Sequence, residues 1–124
     1  MPLPTVGRNH LVGLAIGEAL TPFNAANAHL AVGDSVVAFA ATQTDLQAAT
    51  NKLRKAMDST FPTRATNVLT FKSTFITTEA NFAWDEIGVF NAAAAGVMLS
   101  RVVTPLGTKT SASSFALTHT VTFS

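Results

Sequence analysis

The strictest constraint in this chain is the period of its last ten residues. Phe115, Leu117, His119, Val121 and Phe123 alternate with Ala116, Thr118, Thr120 and Thr122. Alternation of this kind suits a half-buried strand and no helix, because successive side chains leave a strand on opposite faces. The same period runs through Asn67–Thr77, where Leu69, Phe71, Ser73 and Phe75 share one face and Val68, Thr70, Lys72, Thr74 and Ile76 the other. Threonine is a good β-former that presents a polar, uncharged surface. Further strands are expected at Ala28–Asp34, closed by a Gly-Asp turn signal, at Trp84–Phe90 and at Val97–Val103. The Ala92–Gly96 run reads as a hairpin loop joining the last two, and Pro105 with Gly107 as a turn.

Helical spacing occurs near the start, over Asn9–Leu20, with Leu11, Leu14, Ala15 and Ala19 in phase and Asn9 as its cap. Thr21-Pro22 is expected to end it. Gly13 and Gly17 lie one turn apart and cost about 1 kcal/mol each relative to Ala. They either let a helix of another subunit approach closely or give clearance over the chain's own sheet. Thr44 and Gln47 have capping-box spacing, and Leu46, Ala49, Leu53 and Ala56–Met57 follow helical spacing. Yet Lys52–Met57 also fits a strand with Leu53, Lys55 and Met57 on one side. One or two helical turns at 45–50, then extended chain, are expected. The expected architecture is mainly β, an antiparallel sandwich or barrel-like domain with a short N-terminal helix. It is a single domain over 1–124, with a helical segment at 1–22 and a β core at 28–124.

Composition narrows the function. Charged residues are 12% of the 124, about half the usual share, and the net charge is +1. So neutral a chain either exposes much uncharged Thr, Ser and Ala or is covered by neighbours in an assembly. Zero cysteines exclude disulfides, thiolate metal sites and cysteine nucleophiles. The first residues lack the basic start and apolar run of a signal peptide. No apolar run approaches the roughly 18 residues of a membrane span. Without a basic run beyond Lys52, Arg54 and Lys55, which read as a solvated face, nucleic acid is not the expected partner.

No catalytic set is found. Asp85 and Glu86 are adjacent, so on a strand they face opposite ways and cannot share a substrate. His10, His29 and His119 lack metal-ligand spacing. His119 lies on the apolar face of the last strand and is expected to be buried or interfacial, bonded to a neighbour. No serine sits in a nucleophile elbow, and no glycine pattern cradles phosphate. The expectation is no enzyme, no cofactor, no metal and no small-molecule substrate.

Two features remain. Trp84, Glu86, Gly88 and Phe90 fall on one face of their strand, with Asp85, Ile87 and Val89 on the other. An acid between Trp and Phe needs a cation, and Arg54 is taken as that partner over Lys55 and Arg101. That face either belongs to the core or anchors a docking partner through Trp84 and Phe90.

The run Asn81-Phe82-Ala83-Trp84-Asp85-Glu86-Ile87-Gly88-Val89-Phe90-Asn91 resembles the N-F-x-x-x-E-I-G-L-F signature in N-terminal regions of tailed-bacteriophage tail-collar and tail-fibre proteins. Leu30–Ser35 with Phe39–Leu46 is similar to the L-x-V-G-D-S and F-A-x-x-Q-T-D-L opening of small phage structural proteins. In those a K-x-R-K-x-M-D run follows, as at Lys52–Asp58, and a G-T-K-T turn precedes the last strand, as at Gly107–Thr110. Tail-fibre proteins carry long distal shafts, whereas this sequence ends at Ser124, which points to a small building block.

The resemblance implies a non-enzymatic virion protein assembled in the host cytoplasm. It would be a tail-associated adaptor, tail-tip or fibre-attachment component, binding copies of itself as a homo-oligomer and other virion proteins. A capsid decoration protein on the head surface is the alternative, and a host-glycan-binding module a second. Gly13, Gly17, Arg54, Trp84, Glu86, Phe90 and Arg101 are the structural and interface candidates.

Overall fold

The computed structural model describes residues 3–124 and contains one helix and seven strands. The helix α1 is Thr5–Ala15; the strands are β1 His29–Gly33, β2 Lys52–Ala56, β3 Thr63–Ala65, β4 Val68–Phe75, β5 Ala83–Phe90, β6 Met98–Thr108 and β7 Phe115–Thr122. They form two antiparallel sheets, one ordered β2-β1-β5-β6 and the other β3-β4-β7. No closed barrel forms.

The two alternating segments become partners: β4 pairs with β7 along its whole length, Val68 opposite Thr122 and Phe75 opposite Phe115. Their apolar faces supply Phe71, Phe75, Leu117 and Val121 to the core, and the larger sheet supplies Leu30, Val32, Ile87, Val89 and Leu99. Threonines 118, 120 and 122 are exposed, as the alternation requires. A smaller cluster of Ala31, Leu46, Phe90 and Met98 lies on the outer face of the larger sheet. That face is covered by the long connection between β1 and β2, which makes a third layer, while α1 packs on β6. The connection begins and ends together: the Asp34 N–H donates to Asn51 O at 3.2 Å, and Asn51 Nδ2 to Asp34 Oδ2 at 2.9 Å. The whole molecule exposes 6309 Å², against about 6,300 Å² for a compact monomer of this mass.

Four local expectations fail, each for an identifiable reason. The helix starts at Thr5, not Asn9, with Pro4 as its cap residue. It ends at Ala15, not at Thr21-Pro22, because Gly17 turns left-handed at φ 82°. There the Glu18 N–H donates to Gly13 O and the Gly17 N–H to Leu14 O, the paired bonds of a Schellman cap. No helical turn forms at 45–50; the Gln47 and Ala48 amides go to the buried Glu86 carboxylate instead. Lastly, β6 continues through Pro105 and Gly107. Proline is tolerated because β6 is an edge strand and its register with β5 shifts between Trp84 and Glu86.

Candidate functional site

The outer face of the larger sheet brings together most of the residues singled out above. Register sets Arg54, Ala31, Gly88 and Arg101 in one row across β2, β1, β5 and β6, and Lys52, Gly33, Glu86 and Val103 in a second. Glu86 and Arg101 are therefore diagonal neighbours on adjacent strands. Arg101 Nε lies 2.8 Å from Glu86 Oε1, and both side chains are wholly buried. Arg54 is not the counter-ion. It sits two strands from β5, roughly 10 Å at the ordinary strand spacing.

The pair organises the covering connection. The Gln47 N–H donates to Glu86 Oε1 and the Ala48 N–H to Glu86 Oε2, both at 2.9 Å. Arg101 Nη1 donates to Gln43 Oε1 at 3.1 Å and Nη2 to Val37 O at 2.9 Å. One buried ion pair thus binds Val37, Gln43, Gln47 and Ala48, and its charges are met by hydrogen bonds as well as by each other. Two glycines make room: a Cβ at Gly33 would collide with the Glu86 carboxylate, and one at Gly88 would stand 2.9 Å from Leu46 Cδ2.

Arg54 holds the neighbouring loop. Its guanidinium carbon lies 3.6 Å from the Phe90 ring centroid, a cation–π contact. Nη1 donates to Ala92 O at 2.9 Å and Ala95 O at 2.8 Å, and Nη2 lies 3.6 Å from Asp45 Oδ1. Burial pulls the Arg54 pKa down, and the Asp45 carboxylate works against that. The small residues of Ala92–Gly96 form the expected β5–β6 hairpin loop, with the Asn91 N–H donating to Val97 O.

Trp84 is separated from Glu86 and Phe90. The irregularity between Trp84 and Glu86 turns the indole to the inner face, where it is 3% exposed. It packs edge-on against Phe75 at 5.0 Å and Phe115 at 5.4 Å, and Nε1 donates to Ala80 O. This is the core arrangement, not a surface anchor. Gly13 also serves the chain itself: a Cβ there would stand 2.6 Å from Leu20 Cδ1 and 2.9 Å from Glu18 Oε1, so the returning segment fills the space another subunit would need. Gly17 has open space around it and acts through its backbone conformation.

Three residues escaped the sequence reading. Asn91, 4% exposed, donates to Thr21 O at 3.0 Å and accepts from the Val97 N–H at 2.8 Å, tying the segment after α1 to the β5–β6 loop. Lys109, 1% exposed, donates from Nζ to Asn81 Oδ1 at 2.7 Å. Ser100 is also buried, and its Oγ has no hydrogen-bond partner among the described residues. No residue spacing announces any of the three, because the Asn91 and Lys109 bonds join segments distant in sequence and the burial of Ser100 depends on the packing of the sheets.

His119 lies across from Phe71 and, with Ser100, Val102 and Val121, lines a cleft of about 380 Å³ between β6 and β7. Burial lowers its pKa from the ordinary 6.5. The folded chain therefore resists a proton that the unfolded chain accepts. Stability is fully present above pH 6.5 and is lost as pH falls from there through the lowered folded value. His119→Gln is expected to flatten this part of the pH dependence, read as urea midpoints between about pH 7 and pH 5. Equal pH slopes for wild type and variant would contradict it.

Among the described residues no group of three or more His, Cys, Asp or Glu could hold a metal ion. No described helix is long and apolar enough to cross a membrane. No family model, curated protein or solved structure matches the chain.

Proposed function

We propose that this chain is a non-enzymatic structural subunit of a tailed-bacteriophage virion, a tail-associated adaptor, tail-tip or fibre-attachment component that assembles with itself and with neighbouring virion proteins. One observation carries the reading beyond the sequence resemblance: the phage-like runs are contact partners in the fold. Glu86 and Gly88 belong to the N-F-x-x-x-E-I-G run, and they meet Gly33 and Leu46 of the L-x-V-G-D-S and Q-T-D-L runs. Gln43 joins through Arg101, and Arg54 of the K-x-R-K run caps Phe90. The shared residues build a scaffold.

Chemistry at Glu86 would need an accessible carboxylate. Its side chain is buried, and its oxygens are occupied by Arg101 and by two backbone amides. The surface outside suits an assembly role, because uncharged Thr and Ser faces are buried between subunits without desolvating ions. The glycan-binding alternative needs an exposed aromatic platform, and the single Trp is in the core.

Immunogold labelling of purified particles of the phage that encodes the chain tests the placement. Gold on the tail is expected. Gold spread over the head would replace this reading with the capsid decoration alternative.

A further inference from the structure

Two sheets of four and three strands leave four strand edges, and three of them are guarded. An exposed edge presents unpaired N–H and C=O groups and is a template for another strand unless charge, proline, irregularity or cover blunts it. The β2 edge carries Lys52, Arg54 and Lys55, and β3 has only three residues. On β6, the start of the strand lies under α1, with Gly7 packed so close that a Cβ would stand 2.7 Å from the Met98 and Leu99 carbonyl oxygens. Its later part contains Pro105 and the register shift.

The β7 edge has none of these devices. Phe115–Thr122 is eight residues long, with no Lys, Arg, Asp, Glu, Pro or Gly. Its ladder with β4 is regular from end to end, and among the described residues β4 is its only neighbour in the sheet. Next to this edge the sandwich is open. The cleft between β6 and β7 runs along Thr120–Thr122, and the unpartnered Ser100 hydroxyl is buried in its wall.

We infer that β7 is the self-assembly edge: it pairs antiparallel with β7 of a second copy about a two-fold axis, joining the two three-stranded sheets into one of six. This rests on the reading of the chain as a self-assembling subunit and names the surface involved. A two-fold antiparallel pair needs a strand complementary to itself. β7 meets that condition, because no fixed charge on it is brought against its own copy. A Lys-bearing edge such as β2 would set like charges across the axis. The pairing also brings the two open sides together, so both clefts are covered by the same contact.

The test is the mass of the full chain by sedimentation across a wide concentration range, for wild type and for the triple variant Thr118→Lys, Thr120→Lys, Thr122→Lys. These three threonines are exposed, so the substitutions leave the core intact. Wild type is expected at twice the 12.9 kDa chain mass, and the triple variant at 12.9 kDa. A wild type monomeric throughout overturns the inference. So does a triple variant that dimerises as well as wild type, although self-assembly through another surface would then stand.

Should the triple variant fail to fold, single-cysteine variants decide the matter, since the natural chain has no cysteine. Cβ atoms directly opposite in an antiparallel pair are about 5 Å apart. At least one of Thr118→Cys, Thr120→Cys and Thr122→Cys is therefore expected to cross-link far faster than Thr63→Cys on the opposite edge. Equal rates overturn the pairing. Detection of the chain in virions is a separate readout, so a monomeric protein that is nonetheless a virion component defeats this inference and not the proposed function.

Discussion

Replacing Glu86 by Ala is expected to destabilise the fold by about 3–5 kcal/mol, the range for breaking a buried ion pair from one side. The size follows from what is left behind. Arg101 would keep a wholly buried guanidinium whose acid has gone, and the Gln47 and Ala48 amides would lose the carboxylate they donate to. The damage should spread along the connection between β1 and β2, because Val37 and Gln43 are held by the same arginine. Urea melts give the loss, and amide exchange at Gln47 and Ala48 should accelerate. Replacing both charges, with Glu86→Leu and Arg101→Met, should not restore stability, since the backbone groups would still lack partners. A loss below about 0.5 kcal/mol for Glu86→Ala, the scale of an ordinary surface change, would contradict this account of the pair.

Trp84→Ala is expected to cost a similar amount, about 3–5 kcal/mol, for a different reason. It removes the largest side chain from the core and leaves a cavity between Phe75 and Phe115. The edge-on aromatic contacts add roughly 0.5–1.5 kcal/mol per pair to the burial. The same residue supplies a spectroscopic check. Native emission should be blue-shifted, move to the red on unfolding, and stay unchanged when sugars are added. Native emission typical of solvated indole, or a loss below about 1 kcal/mol, would place Trp84 at the surface and revive its role as a docking anchor.

The alternation in the sequence was enough to place β4 and β7, to set Phe71 with Phe75 and Leu117 with Val121 on single faces, and to give the general position of six strands, but not to show that β4 and β7 pair. It did not reveal β3, whose three exposed residues carry no periodic signal. Counting by twos failed at a single place with large consequences. The irregularity between Trp84 and Glu86 breaks the parity of β5, so a face containing Trp, Glu and Phe on paper is divided between two layers.

The cation for Glu86 was mistaken because Arg54 and Arg101 occupy the same row, and strand order, which the sequence does not contain, decides which is adjacent. The segment at 45–50 was misread for a related reason. Its capping-box spacing is a local preference for helix, and a buried carboxylate from a strand far along the chain offers its amides a stronger partner. Gly17 was noticed for its spacing from Gly13, yet its positive φ is what ends the helix.

The central claim is that the chain is a built-in part of a phage particle. Peptide mass spectrometry of gradient-purified virions, disrupted and quantified against the major structural proteins, tests it most directly. The chain is expected among the virion proteins in multiple copies per particle, retained after high-salt washing. Its absence from disrupted virions, with the chain found only in the infected-cell lysate, would contradict the claim.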